Sequence, residues 1–131
     1  MSIHPTLRYD DPRAAIAFLT DALGFTAEFV STADDGTVGH AELSFRGGPG
    51  DEPGVLMLGP RRRPADPFDT GRAVIYLAAD DPDERHRRAV AAGASVVQEL
   101  VDQPYGSREF AVADPEGNIW SVGTYRPAVK P

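Results

Sequence analysis

RAVIYLAADDPDERHRRAVAAG, the stretch at residues 72–93, predicts a buried strand, a sharp corner and an amphipathic helix that ends at a glycine. The strand is predicted over 73–78, and the helix begins at Asp81-Pro82. An aspartate accepts backbone N–H bonds at a helix start, and a proline there sacrifices no hydrogen bond. Gly93 supplies the left-handed conformation that commonly ends a helix. The stretch therefore predicts one complete strand–helix unit.

The same unit occurs once earlier in the chain. Asp-Asp-Pro at 10–12 recurs at 80–82, 70 residues later, and the terminating Gly24 recurs as Gly93, 69 residues later. A period of this size in 131 residues predicts two copies of one supersecondary module. A module of about 65 residues is too small to bury a good core alone. We therefore expect the two copies to share one core.

Both copies follow the order β-α-β-β-β. The first copy predicts a helix that starts at Asp10 or Asp11 and strands over 3–9, 25–31, 39–45 and 55–58. The second predicts strands over 73–78, 95–101, 108–113 and 119–124. Module 1 is thus expected over about 1–59 and module 2 over about 72–126, within a single domain spanning 1–131. The linker of about 60–71 is rich in proline and arginine; a solvated linker is favoured over a flap that covers a site.

The charge and amino-acid composition of the chain limit the partners and the cellular location that can be expected. The net charge of −7 argues against nucleic acid as a partner and leaves room for a cationic ligand. The chain has no cysteine and no run of eighteen apolar residues, so neither a disulfide framework nor a membrane span is expected. The N-terminal segment lacks the basic and apolar regions of a signal peptide. A cytoplasmic protein without membrane partners is the expectation.

Tandem βαβββ modules with helix starts at Asp-Asp-Pro and a closing DPEGNIW at 114–120 resemble the vicinal-oxygen-chelate superfamily. This superfamily contains glyoxalase I, extradiol dioxygenases, and bleomycin and related antibiotic-binding resistance proteins; the small glyoxalase-like members are the most similar. REFAV at 108–112 is also similar to the corresponding stretch of the bleomycin resistance proteins. The resemblance implies an α+β fold, in which the two modules form a curved mixed sheet around a cavity with helices on the convex side. It also implies a homodimer.

The resemblance further implies four positions at which metal-using members carry ligands. They correspond here to His4, Met57, Val74 and Ser121. His4 is a competent ligand, whereas a thioether, an isopropyl group and a hydroxyl do not make a site for Mg, Mn or Fe(II). We therefore expect no cofactor. The alternative is a divalent metal held by His4, His40 and Glu42, because His40 and Glu42 alternate on the third strand and share a face. The favoured interpretation makes His40 and Glu42 hydrogen-bonded polar residues beside a ligand or at a dimer surface.

Strand alternation selects the residues of the expected cavity. If Ser121 faces the cavity, Trp120 belongs to the core, and Tyr76 shares the cavity face of its strand with Val74. The predicted ligand-binding residues are His4, Thr6, His40, Glu42, Met57, Val74, Tyr76 and Ser121. His86 is expected on a solvated helix face.

The leading hypothesis is a metal-free small-molecule-binding protein of the glyoxalase/bleomycin-resistance type, with a sequestering resistance or carrier role. No catalytic residue is assigned, and binding is favoured over catalysis. One alternative is an enzyme of the same superfamily. It would be a metal-dependent lyase or dioxygenase using His4, His40 and Glu42, or a metal-free isomerase with His4 or Glu42 as general base. A third is an interaction subunit without a ligand.

Overall fold

A computed structural model describes residues 3–131, so the first two residues of the predicted module 1 lie outside the described part. These residues form eight strands and two helices in the order β1 (Thr6–Tyr9), α1 (Pro12–Asp21), β2 (Thr26–Thr32), β3 (Val38–Phe45), β4 (Gly54–Pro60), β5 (Val74–Ala78), α2 (Pro82–Ala91), β6 (Ser95–Asp102), β7 (Arg108–Ala113) and β8 (Ile119–Gly123). The predicted order, β-α-β-β-β twice, is confirmed. β1 begins at Thr6 and not at residue 3, after Pro5, which has no N–H to give to a ladder.

The strands form two four-stranded sheets, one from each module. Sheet 1 has the order β1-β4-β3-β2, and sheet 2 has the order β5-β8-β7-β6. In each sheet the first strand of the module runs parallel to the last, and the remaining pairs are antiparallel. The mixed sheets and the α+β class agree with the predicted fold.

The duplication extends to irregularities within the strands. In sheet 1 the register shifts between the pairs Ala27–Leu43 and Phe29–Glu42, which places a bulge in β2. In sheet 2 the corresponding shift lies between Val96–Val112 and Gln98–Ala111. A bulge adds one residue to one strand and reverses the faces of the residues that follow. The two modules therefore share the same change of face at the same point.

The helices start and end as the repeat predicts, with one correction. The side chain of Asp11 accepts a hydrogen bond from Ala14 N at 3.1 Å. Among the described residues Asp81 makes no such bond, and its carboxylate instead accepts from Arg85 Nε at 3.0 Å. Gly24 and Gly93 both have positive φ angles, 78° and 85°, as left-handed helix stops require. Neither helix of residues 3–131 has the length and apolar character needed to span a bilayer.

The two modules share one hydrophobic core, as predicted. Helix α1 packs against β1, β2 and β4, and α2 packs against β6, β7 and β8. The buried residues of both modules join in a single cluster, which includes Leu19 and Leu43 from the first and Phe110 from the second. Phe25 meets the edge of Trp120 across the boundary, with ring centres 5.8 Å apart. Burying these faces jointly supplies the apolar area that neither module has alone.

Close backbone contact also joins the modules. Asp80 N donates to the carbonyl of Gly47 at 2.9 Å. A Cβ atom at Gly47 would lie 1.8 Å from the carbonyl oxygen of Ala78. The Gly-rich loop between β3 and β4 therefore needs a glycine because of this close approach to the end of β5.

The buried carboxylate of Asp114 is the centre of a hydrogen-bond network in the interior. Its Oδ2 atom accepts from the Tyr9 hydroxyl at 2.7 Å, from Trp120 Nε1 at 3.1 Å and from the Asn118 side chain at 3.0 Å. Its Oδ1 atom accepts from the backbone N–H groups of Glu116 and Asn118. Burial and, after it, the bond to Asp114 raise the pKa of Tyr9. One carboxylate thus satisfies donors from the first strand of module 1 and the last strand of module 2.

We predict that Asp114→Asn lowers the free energy of unfolding by about 3 kcal/mol, because an amide keeps one acceptor oxygen where a carboxylate offers two, and buried donors lose their partners. Urea unfolding measures this change. Asp34→Asn, at an exposed turn residue, is the control and should be close to neutral. A loss in Asp114→Asn no larger than that of the control would show that the network is not needed for stability.

Candidate functional site

One face of sheet 1 is left uncovered by the helices. The inter-strand register places Thr6 beside Met57, Met57 beside Glu42, and Glu42 beside Phe29, which makes one row across four strands. All four side chains are exposed or half-buried. We call this surface the open face of sheet 1; its residues are Thr6, Arg8, Phe29, His40, Glu42 and Met57.

A histidine–glutamate pair lies in the open face of sheet 1. His40 Nε2 and Glu42 Oε2 are 2.9 Å apart, and both side chains keep over two-fifths of their surface exposed. The Phe29 ring lies 6.2 Å from the imidazole, centre to centre. The pair can accept a proton through the imidazole or hold a cationic group through the carboxylate. This result agrees with the predicted shared face of the two residues.

The inter-module linker is anchored at the edge of this face. Arg8 Nη1 lies 3.1 Å from Asp66 and 3.2 Å from Asp69. A hydrogen bond from the Asp66 backbone N–H, with further bonds from Arg62 and Arg8, holds the pKa of Asp69 below its usual value. The Arg8 guanidinium lies 5.6 Å from the centre of the Phe68 ring. A small cavity of about 160 Å³ remains between Phe68 and Thr6. The linker is therefore anchored at several points, while most of its residues stay exposed to solvent.

The residues of the alternative metal triad do not converge. His4 donates from Nδ1 to the carbonyl of Val55 at 2.9 Å, near the start of β4. His40 lies one residue beyond the Ala41–Leu58 pair, near the other end of β4. Four residues of strand span about 13 Å, too far for two ligands of one ion. Within residues 3–131, no three His, Asp or Glu side chains form a group that could hold a metal.

The four family ligand positions also do not fit a divalent metal. Val74 is 73% exposed on the edge strand β5, and it carries no donor atom. Met57 and Ser121 lie on different sheets, where they offer a thioether and a hydroxyl. A site for a hard divalent ion needs about three convergent oxygen or nitrogen ligands. His4 alone does not provide such a site.

The second module carries the other three predicted residues on sheet 2, apart from the first group. Tyr76 and Ser121 are register partners, and Val74 pairs with Ile119. The Tyr76 hydroxyl donates to the carbonyl of Tyr125 at 2.6 Å, and burial raises its pKa. Trp120 is fully buried, as strand alternation predicts. The predicted ligand-binding residues thus form two groups, one on each sheet.

The sequence alone does not place two further residues of these sheets, the acidic Glu109 and the aromatic Phe29. Glu109 is 7% exposed and accepts from the Tyr105 hydroxyl at 2.7 Å, which raises the pKa of Tyr105. Phe110 is fully buried next to His86 of α2, so alternation places Glu109 on the opposite side of sheet 2. Alternation alone does not place Phe29, because the bulge in β2 changes its face. Placing Glu109 requires knowing that Phe110 is buried, and placing Phe29 requires knowing of the bulge in β2; the sequence pattern shows neither.

His86 differs from its predicted environment. Its Nε2 atom lies 3.0 Å from Glu99 Oε1, and the ring meets the edge of Phe110 with centres 5.2 Å apart. The side chain is 22% exposed. His86 therefore closes the space between α2 and sheet 2 and does not lie on a solvated face.

An apolar cleft of about 450 Å³ lies between the modules. Of the predicted residues it contains Tyr76; its apolar walls come from both modules and include Phe25, Phe45, Val55, Leu56, Ile75 and Leu77. Arg126 lies at its rim, where it pairs with Asp51 at 3.0 Å and Asp80 at 2.9 Å. The cleft offers an apolar surface close to the start of β4, where His4 is anchored.

Comparisons with known proteins agree with this geometry. The family model of the Glyoxalase/Bleomycin resistance protein/Dioxygenase superfamily matches residues 2–122. Uncharacterized protein Mb0911c of Mycobacterium bovis is 34% identical over 125 residues, which cover 93% of this chain and 82% of that protein. Putative glyoxylase CFP32 of the same species is 29% identical over 86% of this chain and 40% of its own length.

Solved structures share the architecture. TioX from Micromonospora sp. ML1 has a TM-score of 0.75 and 29% identity, with 99% of this chain and 100% of that chain covered. A bleomycin-binding protein complexed with bleomycin has a TM-score of 0.65 and 21% identity, with 96% and 99% covered. With two βαβββ modules, mixed sheets and a family match over nearly all of its length, the chain belongs to the glyoxalase/bleomycin resistance protein/dioxygenase superfamily.

Proposed function

We propose that this protein binds a small molecule on the open face of sheet 1 without a metal, in a sequestering or carrier role. The observation that carries the proposal is the row of Thr6, Met57, Glu42 and Phe29. It combines apolar surface with the His40–Glu42 pair at a face that neither α1 nor α2 covers. Binding sites of this kind are largely apolar with a few fixed polar groups.

The chemistry of this face favours a ligand with an aromatic part and a cationic group. Phe29 and Met57 offer apolar contact, and the anchored Phe68 bounds the face at its Arg8 edge. The Glu42 carboxylate, in a chain of net charge −7, suits a cation. A bleomycin-binding protein complexed with bleomycin has the same fold, which supports the use of this scaffold for holding an antibiotic.

We expect a thermal-shift screen of cationic glycopeptides and aromatic antibiotics to yield at least one stabilising compound. Glu42→Gln should weaken the binding of that compound about tenfold in calorimetric titration, because a charge-assisted contact is lost. Glu99→Gln removes the same charge from sheet 2 and is the control. The proposal fails if no compound stabilises the protein, or if Glu42→Gln and Glu99→Gln bind the compound equally.

The 2.9 Å contact between His40 and Glu42 favours a second candidate, a metal-free isomerase. The His40 imidazole would remove a proton next to a carbonyl group, and Glu42 would stabilise the imidazolium that forms. This assignment differs from the general bases expected from the sequence, His4 and Glu42. The similarity to Putative glyoxylase CFP32 is consistent with chemistry on carbonyl compounds.

For this candidate, small α-hydroxy ketones incubated with the protein in D₂O should exchange the proton next to the carbonyl, as followed by NMR. His40→Ala should slow exchange by about 10²-fold or more, the usual contribution of a general base. His4→Ala keeps the pair intact and should leave the rate unchanged. Exchange at the uncatalysed rate in the unmodified protein would rule the candidate out.

We also propose that the protein is a homodimer. Large apolar side chains outside the open face of sheet 1 stay exposed on its strands, with Val74 at 73% and Val97 at 52%. Covering such residues by a second copy would bury apolar area. Closed two-fold assembly is the commonest way for a chain to do so.

Sedimentation equilibrium should accordingly give twice the 14.1 kDa chain mass at micromolar concentration. Val74→Glu should shift the equilibrium toward monomer, because it would place a charge in a covered surface. Val129→Glu, in the tail where Val129 is 96% exposed, is the matched control. A monomer in the unmodified protein would overturn the proposal.

A further inference from the structure

We infer a second binding site, for an oxyanion, in a pocket between the linker and module 2. The pocket has a volume of about 660 Å³, and we call it the linker pocket. Its charged walls include Arg61, Arg62, Arg63 and Arg72, with Pro115 and Glu116 from the turn between β7 and β8. It shares no lining residue with the open face of sheet 1. The inference therefore does not rest on the proposed function.

The carboxylates of the linker pocket already have donors. The two oxygens of Glu116 accept from the backbone N–H groups of Asp10 and Asp11 at 2.7 and 2.8 Å. The Asp69 carboxylate accepts from Arg8 and from the backbone of Arg62 and Asp66. Their negative charge is thus committed to the protein's own donors and is less able to repel an incoming anion.

The arginines are less completely engaged. Arg61 Nη2 donates to the carbonyl of Thr70 at 2.8 Å, and Arg63 pairs with the exposed Asp10 at 3.2 Å. The guanidinium groups of Arg62 and Arg72 make no hydrogen bond or ion pair within residues 3–131. Arg72 lies close against the β7–β8 turn, with its Nε atom 2.9 Å from the position of a Cβ on Gly117. Two guanidinium groups with unused donors therefore line one pocket.

This arrangement suits a phosphate or carboxylate group. A guanidinium presents parallel N–H donors that match two oxygens of such a group, and two guanidiniums can bind it from different sides. The four arginines of the pocket outnumber its three carboxylates, although the chain has a net charge of −7. An anion between Arg62 of the linker and Arg72 of module 2 would also join the two, so binding would stabilise their docking.

The test is an NMR titration of the full chain with inorganic phosphate and, separately, malonate, at ionic strength held constant with NaCl because salt screens such contacts. We expect saturable shifts of backbone amides at 61–72 and 116–117 with at least one of the anions. The tighter of the two identifies the phosphate or carboxylate class. Shifts that grow linearly without saturation, or that lie elsewhere in the chain, would overturn the inference.

Variants separate specific binding from general charge. Arg72→Gln and Arg62→Gln should each weaken the anion about tenfold, equivalent to about 1.4 kcal/mol. Arg87→Gln, on the exposed face of α2, removes the same charge far from the linker pocket and should bind like the unmodified protein. Both arginines are exposed, so both variants should fold, and each serves as a check on the other. Equal affinity in all four proteins would also overturn the inference.

Discussion

The buried carboxylate of Asp114 is the interaction on which the arrangement of the two modules depends. It accepts from Tyr9 in β1 and from Trp120 in β8, so the first and last strands of the chain meet at one acceptor. A buried carboxylate without these donors would cost several kcal/mol, and the donors without it would be unsatisfied. The hydrophobic core around it is close-packed, but the attraction that holds it together is non-directional. The carboxylate therefore adds a directional contact to the core and to the backbone bond between Asp80 and Gly47, which also join the modules.

That docking decides where function can reside. The helix-covered sides of both sheets are used for the shared core, with Phe25 against Trp120 at its centre. What remains for a ligand is the side of each sheet away from the helices and the clefts along the module boundary. Polar residues are placed there by the pleat of the strands, since each core residue forces its neighbour outward. His40 and Glu42 are thus on the open face of sheet 1 because Ala41 and Leu43 are completely buried.

The sequence was sufficient for the architecture because its evidence is local and repeated. The Asp-Asp-Pro corners and the glycines at 24 and 93 locate two helices, and the recurrence itself establishes the modules. The site was harder for physical reasons. Phe29 reaches the open face through a bulge, and its register with Glu42 depends on the partner strand. The metal triad does not form because His4 and His40 lie at opposite ends of β4, a separation that alternation does not measure. The predicted bond from a backbone N–H of α2 to the Asp81 side chain does not form, because that carboxylate binds Arg85 one helical turn later.

Comparing equivalent positions in the two sheets shows how far the modules have diverged in chemistry. The row of Thr6, Met57 and Glu42 in sheet 1 corresponds to Tyr76, Ser121 and Ala111 in sheet 2. His40 corresponds to Glu109. The Glu109 side chain is buried, and it accepts a hydrogen bond from the Tyr105 hydroxyl. Module 1 therefore has an exposed ionisable pair, His40 and Glu42, whereas the equivalent residues of module 2, Glu109 and Ala111, do not form one. Both sheets have the first bulge in common, but their second register shifts differ, so the modules differ in strand pairing as well as in side chains. A ligand that needs a charged partner on a strand face has that partner in module 1, whereas sheet 2 offers tyrosine and serine hydroxyls.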